Sequence, residues 1–287
     1  MLTIQNYVKA ASLEEAYELN QKKSNRIIGG MLWLKMSHMR VQTAIDLSGL
    51  GLDTIEEDDK EFRIGAMVTL RQLELHKGLN QYTKGSMRES VRHIVGVQFR
   101  NLATAGGSIF GRFGFSDVLT EFMALGAYVE LYKAGRVSLE EFTKMPADRD
   151  VLVRLIVPKN MADTVYLSMR NTSTDFPVLT CAVSRDQDGA TSAVIGARPG
   201  RAVWIPDSEQ ILQNNITEEK AEAFGTYAAG QIVTGSNMRA GAEYRRHLAE
   251  VLVKRAVLQM GGRQHEDLSL IHILWSNDGR IHCRRYF

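Results

Sequence analysis

Short apolar runs and helix-capping residues follow one another along the first 158 residues of the chain. Strand-like alternation or apolar content occurs at 26–28, 43–47, 62–65, 127–132 and 151–157. Helix starts are predicted where a capping residue precedes an acid or amide three positions later, as at Ser12 with Glu15, Thr69 with Gln72, and Ser86 with Glu89. A further helix runs from Ser116 and stops before Gly126. This irregular mixture favours an α+β fold over a doubly wound sheet.

The pattern changes after Pro158. Segments 164–170, 178–185 and 190–195 predict a three-stranded antiparallel meander, with residues 186–189 as the last turn. Two helices follow, over about 217–234 and 240–259. We therefore predict a first domain over 1–158, with lobes at about 1–55 and 56–158, and a small domain of meander plus helices over 162–265.

Composition narrows the classes of function. The 287 residues are 44% hydrophobic and 24% charged, as expected for a folded chain with a full core. The formal net charge is +2, with Lys and Arg dispersed, so neither nucleic acid nor a membrane surface is an expected partner. No apolar run approaches the roughly 20 residues of a membrane helix, and no leader is apparent, so we expect a cytoplasmic protein.

The chain offers little for a metal site. Cys181 and Cys283 are too far apart in sequence to hold an iron–sulfur cluster or a zinc ion, and a disulfide between them has weak support. His38, His76 and His93 lack ligand-like spacing. We predict no metal site in this chain.

Two glycine pairs are the most informative features. Gly29-Gly30 follows the predicted strand at 26–28, and Gly106-Gly107 lies within the segment 100–110. Several backbone N–H groups can converge on a diphosphate only where the backbone takes unusual dihedral angles and no Cβ blocks the approach. We expect Ile27, Ile28, Leu32 and Leu34 to anchor the first loop in the core.

Polar residues surround the second pair. Thr104 and Ser108 add hydroxyl groups, and the helix that begins at Ser116 adds free N–H groups. A carboxylate would repel phosphate, so Asp117 is expected to accept hydrogen bonds from ribose hydroxyls. A glycine pair by itself is usually a turn, and Ser116-Asp117 by itself is usually a helix cap. Neither loop has the glycine spacing of a Rossmann or phosphate-binding loop, so the pattern alone indicates possible anion-binding loops.

Taken together, these segments resemble the flavin subunit family of the molybdenum hydroxylases, of the xanthine dehydrogenase and carbon monoxide dehydrogenase type. Ile28-Gly-Gly-Met-Leu-Trp33 stands where that family has Ala-Gly-Gly-Thr-Asp-Leu. Arg100-Asn-Leu-Ala-Thr-Ala-Gly-Gly-Ser-Ile109 and Ser116-Asp-Val118 match its second loop. Ile64-Gly-Ala66 with Val68-Thr69 and the segment 237–246 add two more matches, so the resemblance covers about residues 1–265 in order.

The resemblance implies a two-lobed FAD-binding domain of the PCMH type. Neither glycine segment contains a His or Cys that could form a covalent link, so FAD is expected to be held noncovalently. It implies that electrons reach the flavin from a small subunit with two iron–sulfur clusters, which takes them from a large molybdopterin-binding subunit, and pass to NAD or another acceptor. No residue is predicted to be catalytic. The residues expected to bind the cofactor lie in the two loops and the following helix start: Ile28, Gly29, Gly30, Met31, Leu32, Trp33, Thr104, Gly106, Gly107, Ser108, Gly111, Ser116 and Asp117.

Several positions depart from the family pattern. Met31 and Leu32 replace Thr-Asp, which removes two polar side chains, and Ser108 replaces Asn. Trp33 is expected to contact the flavin or to belong to the core. By resemblance, Arg170, Asp175 and Phe176 are expected near the flavin ring. A stand-alone flavin oxidase and a flavin-free assembly subunit remain alternative interpretations.

The last residues break the pattern. Leu268-Ser-Leu-Ile-His-Ile273 is what one reading frame of a widely used sequencing adapter encodes. We therefore expect residues 267–287 to be a non-native tail and assign Cys283 no role. A genuine short C-terminal strand is the alternative.

Overall fold

The computed structural model describes residues 1–262, and these form three β-sheets with α-helices packed between and against them. The strands are β1 (Thr3–Lys9), β2 (Arg26–Ile28), β3 (Arg40–Asp46), β4 (Ile55–Glu57), β5 (Glu61–Gly65), β6 (Tyr128–Leu131), β7 (Gly135–Ser138), β8 (Leu152–Pro158), β9 (Met161–Arg170), β10 (Pro177–Asp186), β11 (Thr191–Gly196) and β12 (Val203–Pro206). The helices are α1 (Leu13–Gln21), α2 (Leu70–Leu75), α3 (Lys77–Tyr82), α4 (Ser86–Arg92), α5 (Val97–Arg100), α6 (Ala105–Phe110), α7 (Asp117–Ala124), α8 (Leu139–Lys144), α9 (Glu218–Gly230) and α10 (Ala242–Met260).

The first sheet places the first glycine pair. Its order is β1-β3-β2, and β3 pairs in parallel with both neighbours. Ile45 of β3 is fully buried beside Ala16 of α1 in a small core. Helix α1 begins as predicted, because the Ser12 hydroxyl accepts a hydrogen bond from the Glu15 N–H at 3.1 Å. Strand β2 ends directly before Gly29, so the glycine pair lies at the sheet edge.

The second sheet carries the main core. It is antiparallel, in the order β4-β5-β8-β6-β7. Helix α6 packs against β8 and β5 of this sheet, and Phe122 of α7 is fully buried in the same core as Phe62 and Leu155. Gly126 ends this helix region with a left-handed φ of 62°, as its position predicts.

The third sheet differs from the expected meander by one strand. Strands β9, β10 and β11 lie where they were predicted, but β12 extends the sheet to four strands in the order β12-β11-β10-β9. The four-residue β12 was missed because its pattern is too short to predict a strand. Helices α9 and α10 pack against each other, and α10 covers β9 and β10. The predicted α+β class and the two-domain type of fold are confirmed, with this correction.

Two local predictions in the middle of the chain are wrong. Ser86 does not cap α4, because Gly85, at a φ of 88°, occupies the cap position and Ser86 is the first helical residue. The second glycine segment is not an open loop, because residues 105–110 form α6 with Thr104 as its cap. By contrast, Thr69 and Gln72 form the predicted reciprocal capping box at the start of α2.

Within residues 1–262, no helix is long and apolar enough to cross a membrane. The predicted non-native tail over 267–287, with Cys283, lies outside the described residues.

Candidate cofactor site

Two cavities adjoin at the glycine segments. The front cavity, of about 300 Å³, lies among the loop after β2, the start of α7 and the loop before β10, and includes Trp33, Phe115 and Phe176 in its wall. The rear cavity, of about 330 Å³, lies among β2, helix α6 and the segment before β8, and includes Arg26 and Arg149 in its wall. The residues common to both walls are Ile27, Ile28, Gly29, Thr104 and Gly107. A long ligand could therefore run from one cavity to the other across the glycines.

Every residue predicted for the cofactor site lies in the wall of one or both cavities. Ile28, Gly29, Thr104 and Gly107 line both; Gly30, Met31, Leu32, Trp33, Ser108, Ser116 and Asp117 line the front cavity; Gly106 and Gly111 line the rear cavity. The structure thus brings together two segments that lie about 75 residues apart in sequence.

Close contact between the two segments explains part of the glycine requirement. A Cβ added to Gly30 would lie 1.9 Å from the carbonyl oxygen of Leu102, which no side chain can tolerate. A Cβ on Gly29 would lie 2.8 Å from the Thr104 hydroxyl oxygen. Glycine at these two positions is therefore needed to seat the first loop against the second segment.

The first loop offers free donors. The N–H groups of Gly30, Met31 and Leu32 have no hydrogen-bond partner within residues 1–262. Met31 has a φ of 56°, in the left-handed region that non-glycine residues rarely adopt and that occurs where consecutive N–H groups converge on an anion. Ile27 and Leu32 are half-buried and pack against the core clusters, as expected. Ile28 and Leu34 are half-buried in the cavity wall and are not among the residues that pack against these cores.

The second segment has a different role from the one expected. The N–H groups of Ala105, Gly106 and Gly107 already donate to Val68 O at 2.7 Å, Ala66 O at 2.8 Å and Thr104 Oγ1 at 3.1 Å. The Ser108 hydroxyl donates to Thr104 O at 2.9 Å. This segment therefore does not offer free N–H donors. It forms part of the cavity wall, and the absence of a side chain at Gly107 leaves room for a ligand there.

Asp117 is paired with protein groups. Its Oδ1 accepts hydrogen bonds from the Tyr166 hydroxyl, at 2.5 Å, and from the Arg170 guanidinium. Both members of the Asp117–Arg170 ion pair are buried. Burial raises the pKa of Asp117 to about 6, and Arg170 and Tyr166 oppose that rise. The expected ribose contact stays a prediction, but the structure gives this carboxylate a second task, which is to fix Arg170 in the cavity wall.

An aromatic cluster lies in the front cavity wall. The Trp33 ring lies 5.5 Å from that of Phe176 at 30°, 6.1 Å from Phe115 and 6.3 Å from Phe99, between centroids. Arg239 lies over the Phe176 ring at 4.9 Å and pairs with Asp175 at 3.1 Å. Trp33 was expected either to contact the flavin or to belong to the core. Its side chain is 44% exposed, so it does not belong to the core. Arg170, Asp175 and Phe176 all line this cavity, next to Trp33 from the first loop.

Two residues of the rear cavity wall, Arg149 and Asp150, were not singled out by the sequence. The Arg149 guanidinium donates to the carbonyl oxygens of Asn20, Lys22 and Asn25, and so fixes the chain between α1 and β2. The Asp150 carboxylate accepts hydrogen bonds from the N–H groups of Lys133 and Ala134, at 2.9 to 3.1 Å. Both residues come from the irregular segment before β8, where no local pattern marks a site.

A buried acid near the front cavity was also missed. Glu121 of α7 is fully buried, and its only hydrogen-bond partner in the described chain is Ser86 Oγ at 2.5 Å. Burial raises its pKa to about 7. The one available signal was a glutamate placed between Leu119 and Phe122, in the apolar part of the predicted helix.

Residues 1–262 contain no group of His, Cys, Asp and Glu side chains that could hold a metal ion. Cys181 is buried, and burial raises the pKa of its thiol to about 12. This thiol is therefore not a nucleophile or ligand at neutral pH.

Comparison with known proteins gives two adjoining family matches. Residues 2–160 match the model described as the FAD binding domain in molybdopterin dehydrogenase, and residues 164–260 match that of the CO dehydrogenase flavoprotein C-terminal domain. The nicotine 6-hydroxylase medium subunit of Paenarthrobacter nicotinovorans is 28% identical, with 90% of this chain and 97% of that protein covered. The xanthine dehydrogenase FAD-binding subunit of Escherichia coli O157:H7 is 24% identical, with 92% and 99% covered.

Solved structures give the same picture of the fold. A chain of quinoline 2-oxidoreductase from Pseudomonas putida 86 superposes with a TM-score of 0.77 at 20% identity, covering 91% of this chain and 97% of that one. A chain of the reconstituted CO dehydrogenase from Oligotropha carboxidovorans superposes with a TM-score of 0.78 at 22% identity, covering 92% and 99%.

Proposed function

Because the chain belongs to the FAD-binding medium subunits of the molybdenum hydroxylases, with FAD as its cofactor, we propose that it passes electrons from an iron–sulfur partner subunit through FAD to a soluble acceptor. The observation that carries the proposal is the pair of adjoining cavities that share Gly29, Thr104 and Gly107 in their walls, so that one elongated ligand could occupy both. A dinucleotide has the matching shape, with two planar ends and a charged middle.

The charged middle of FAD fits the junction. The free N–H groups of Gly30, Met31 and Leu32 would donate to the diphosphate oxygens, and Gly107 lets those oxygens approach the second segment. Met31 and Leu32 lack the polar side chains of the Thr-Asp that the family has at these positions, but the backbone N–H donors are retained. We therefore retain the predicted FAD-binding residues and assign the first loop as donor and the second as steric wall.

The two ends of FAD differ, and so do the two cavities. The front cavity presents Trp33, Phe115 and Phe176, which suit the flat isoalloxazine ring, and Arg170, which suits its polar edge. The rear cavity presents Arg26, Arg149 and Met67, which suit the polar edges and flat faces of adenosine. FAD supplies the electron-transfer chemistry when bound, and the chain binds and orients it.

The partners follow from the proposed function. Residues 1–262 contain no group of metal-ligating side chains, so we propose that the electrons come from a cluster in a partner subunit. We propose a small subunit with two iron–sulfur clusters as the donor, a molybdopterin-binding large subunit as the site of hydroxylation, and NAD as the acceptor. In this proposal the hydroxylated substrate binds to the large subunit. The similarity of this chain to subunits of a nicotine hydroxylase and a xanthine dehydrogenase therefore does not identify that substrate. We place the complex in the cytoplasm.

The experiment is reconstitution. The flavin-loaded chain alone should oxidise neither purines nor aldehydes, but should show slow NADH oxidation with an artificial acceptor, because that half-reaction needs only the flavin. Hydroxylation coupled to NAD reduction should appear when the two partner subunits are added. Turnover of an organic substrate with oxygen by the chain alone would indicate a stand-alone flavin oxidase. A purified chain that binds no FAD would indicate an assembly subunit.

A further inference from the structure

Helix α7 carries a second buried carboxyl group, which the proposed function does not use. Glu121 lies four residues after Asp117, and both side chains are buried. Residues four apart on a helix lie on one face, with Cβ atoms about 6 Å apart. Because Asp117 lines the front cavity, Glu121 lies one helical turn below the cavity wall.

The surroundings of Glu121 do not balance a negative charge. One carboxyl oxygen contacts Ser86 Oγ at 2.5 Å, and the other has no partner in the described chain. Helix α4 therefore contributes one hydroxyl group, and β10 and β11 contribute apolar residues such as Ala182 and Val194 to the core around α7. An unpaired charge here would be costly, so the group is close to the balance between its acid and ionised forms.

The ionisable groups near Glu121 connect it to the front cavity. Tyr166 of β9 interacts electrostatically with Glu121 and donates a hydrogen bond to Asp117. Asp117 is paired with Arg170, which lines the front cavity. In this buried region charges are poorly screened, so a charge that arrives in the cavity changes the proton affinity of the acid below it.

We propose that Glu121 is a charge-compensating residue, which binds a proton when the flavin in the front cavity is reduced and releases it on reoxidation. The inference rests on the placement of the flavin ring proposed above. Two electrons from the iron–sulfur partner reduce the flavin; solvent supplies one proton to the ring and one to the Glu121 carboxylate. On reoxidation the two electrons leave with the ring proton as a hydride to an acceptor of the nicotinamide type, and the Glu121 proton returns to solvent, so electrons, protons and charge balance in each direction.

The test is the flavin midpoint potential of the FAD-loaded chain as a function of pH, measured by spectroelectrochemistry. Glu121→Gln removes the proton-binding group at nearly constant shape. Glu140→Gln on α8 removes an exposed carboxylate and serves as the control. At about pH 5.5, where Glu121 is neutral, all three proteins should have the same potential. Above about pH 7, the midpoint potentials of wild type and control should be lower than that of Glu121→Gln, because an ionised Glu121 opposes the added electrons.

Infrared difference spectra give a second readout. On reduction at about pH 8, the wild type should gain a carboxylic acid C=O band that Glu121→Gln lacks. If Glu121→Gln does not fold, Ser86→Ala replaces it: loss of the hydroxyl disfavours the ionised form and should move the steep part of the profile to higher pH. Parallel profiles for wild type and variant, with no band difference, would overturn the inference. A chain without bound FAD would instead contradict the proposed function.

Discussion

The Trp33 ring stacks on that of Phe176, with centroids 5.5 Å apart and planes at 30°. This contact joins the loop after β2 to the loop before β10, and both residues line the front cavity. The aromatic contact is therefore made at the place where we propose that the flavin ring lies.

The first prediction concerns this contact. FAD added to the apo chain should quench Trp33 fluorescence, because the ring would come within stacking distance. Trp33→Phe should abolish most of the quenching, whereas Trp204→Phe, on β12 and outside both cavities, should retain it. Trp33→Ala should release FAD roughly fivefold faster, for a lost stacking contact of about 1 kcal/mol. Quenching that persists in Trp33→Phe would place the flavin elsewhere.

The second prediction concerns the buried pair of Asp117 and Arg170. Asp117→Asn should lower the melting temperature of the apo chain by roughly 6 °C, because it leaves a buried guanidinium without its counter-charge. Arg170→Met alone should cost a comparable amount. The double variant should be less destabilised than the sum of the two, since it buries no unpaired charge. Additive losses would show that the pair is not coupled.

The third prediction concerns pH. Burial raises the pKa of Glu121 from its usual 4.5 to about 7, so the folded chain binds this proton more tightly than the unfolded chain does. The stabilising contribution is complete below about pH 4.5 and is lost as the pH rises through about 7. Asp117, raised to about 6, acts in the same direction.

Glu121→Gln stays neutral at all pH values, which sets the expected comparison. The variant should match the wild type near pH 5 and be the more stable protein at about pH 8.5, by roughly 3 kcal/mol. Thermal melts in one buffer series at fixed FAD concentration measure this. A wild type that gains stability relative to the variant as the pH rises would refute the assignment.

Local chemistry predicted part of this molecule well. The capping box of Thr69 and Gln72 and the left-handed stop at Gly126 depend on neighbours within a few residues, and both were found. The two glycine segments could be assigned to one site from the sequence, although only the first has an unusual backbone, at Met31, and the second is helical. What those segments do was only half predicted: the free donors lie in the first, while Val68 and Ala66 already occupy the N–H groups of the second.

The rest depends on contacts between residues distant in sequence. Trp33 and Phe176 are far apart in sequence, as are Ser86 and Glu121, and no periodicity links the members of either pair. Strand β12 pairs with the edge strand β11, and the four residues of β12 alone do not predict a strand. Arg149 lies in the rear cavity wall and donates to backbone carbonyl oxygens. Every residue has such a carbonyl, so no sequence pattern marks these contacts.

The central claim is that FAD crosses the glycine junction, and Gly107 tests it most directly. Gly107 is exposed in both cavity walls, and a Cβ there would meet only the Thr104 hydroxyl oxygen, at 3.0 Å, so Gly107→Ala should fold. Gly230→Ala is the matched control, since a Cβ there has no neighbour within 4 Å. Gly107→Val should have a larger effect than Gly107→Ala.

The measurement is the FAD affinity of folded wild type, Gly107→Ala and Gly230→Ala, by titration of the apo chain with FAD. The account predicts that Gly107→Ala binds FAD at least about tenfold more weakly, a loss of ~1.4 kcal/mol, while Gly230→Ala binds as the wild type does. Wild-type affinity in a folded Gly107→Ala protein would contradict it.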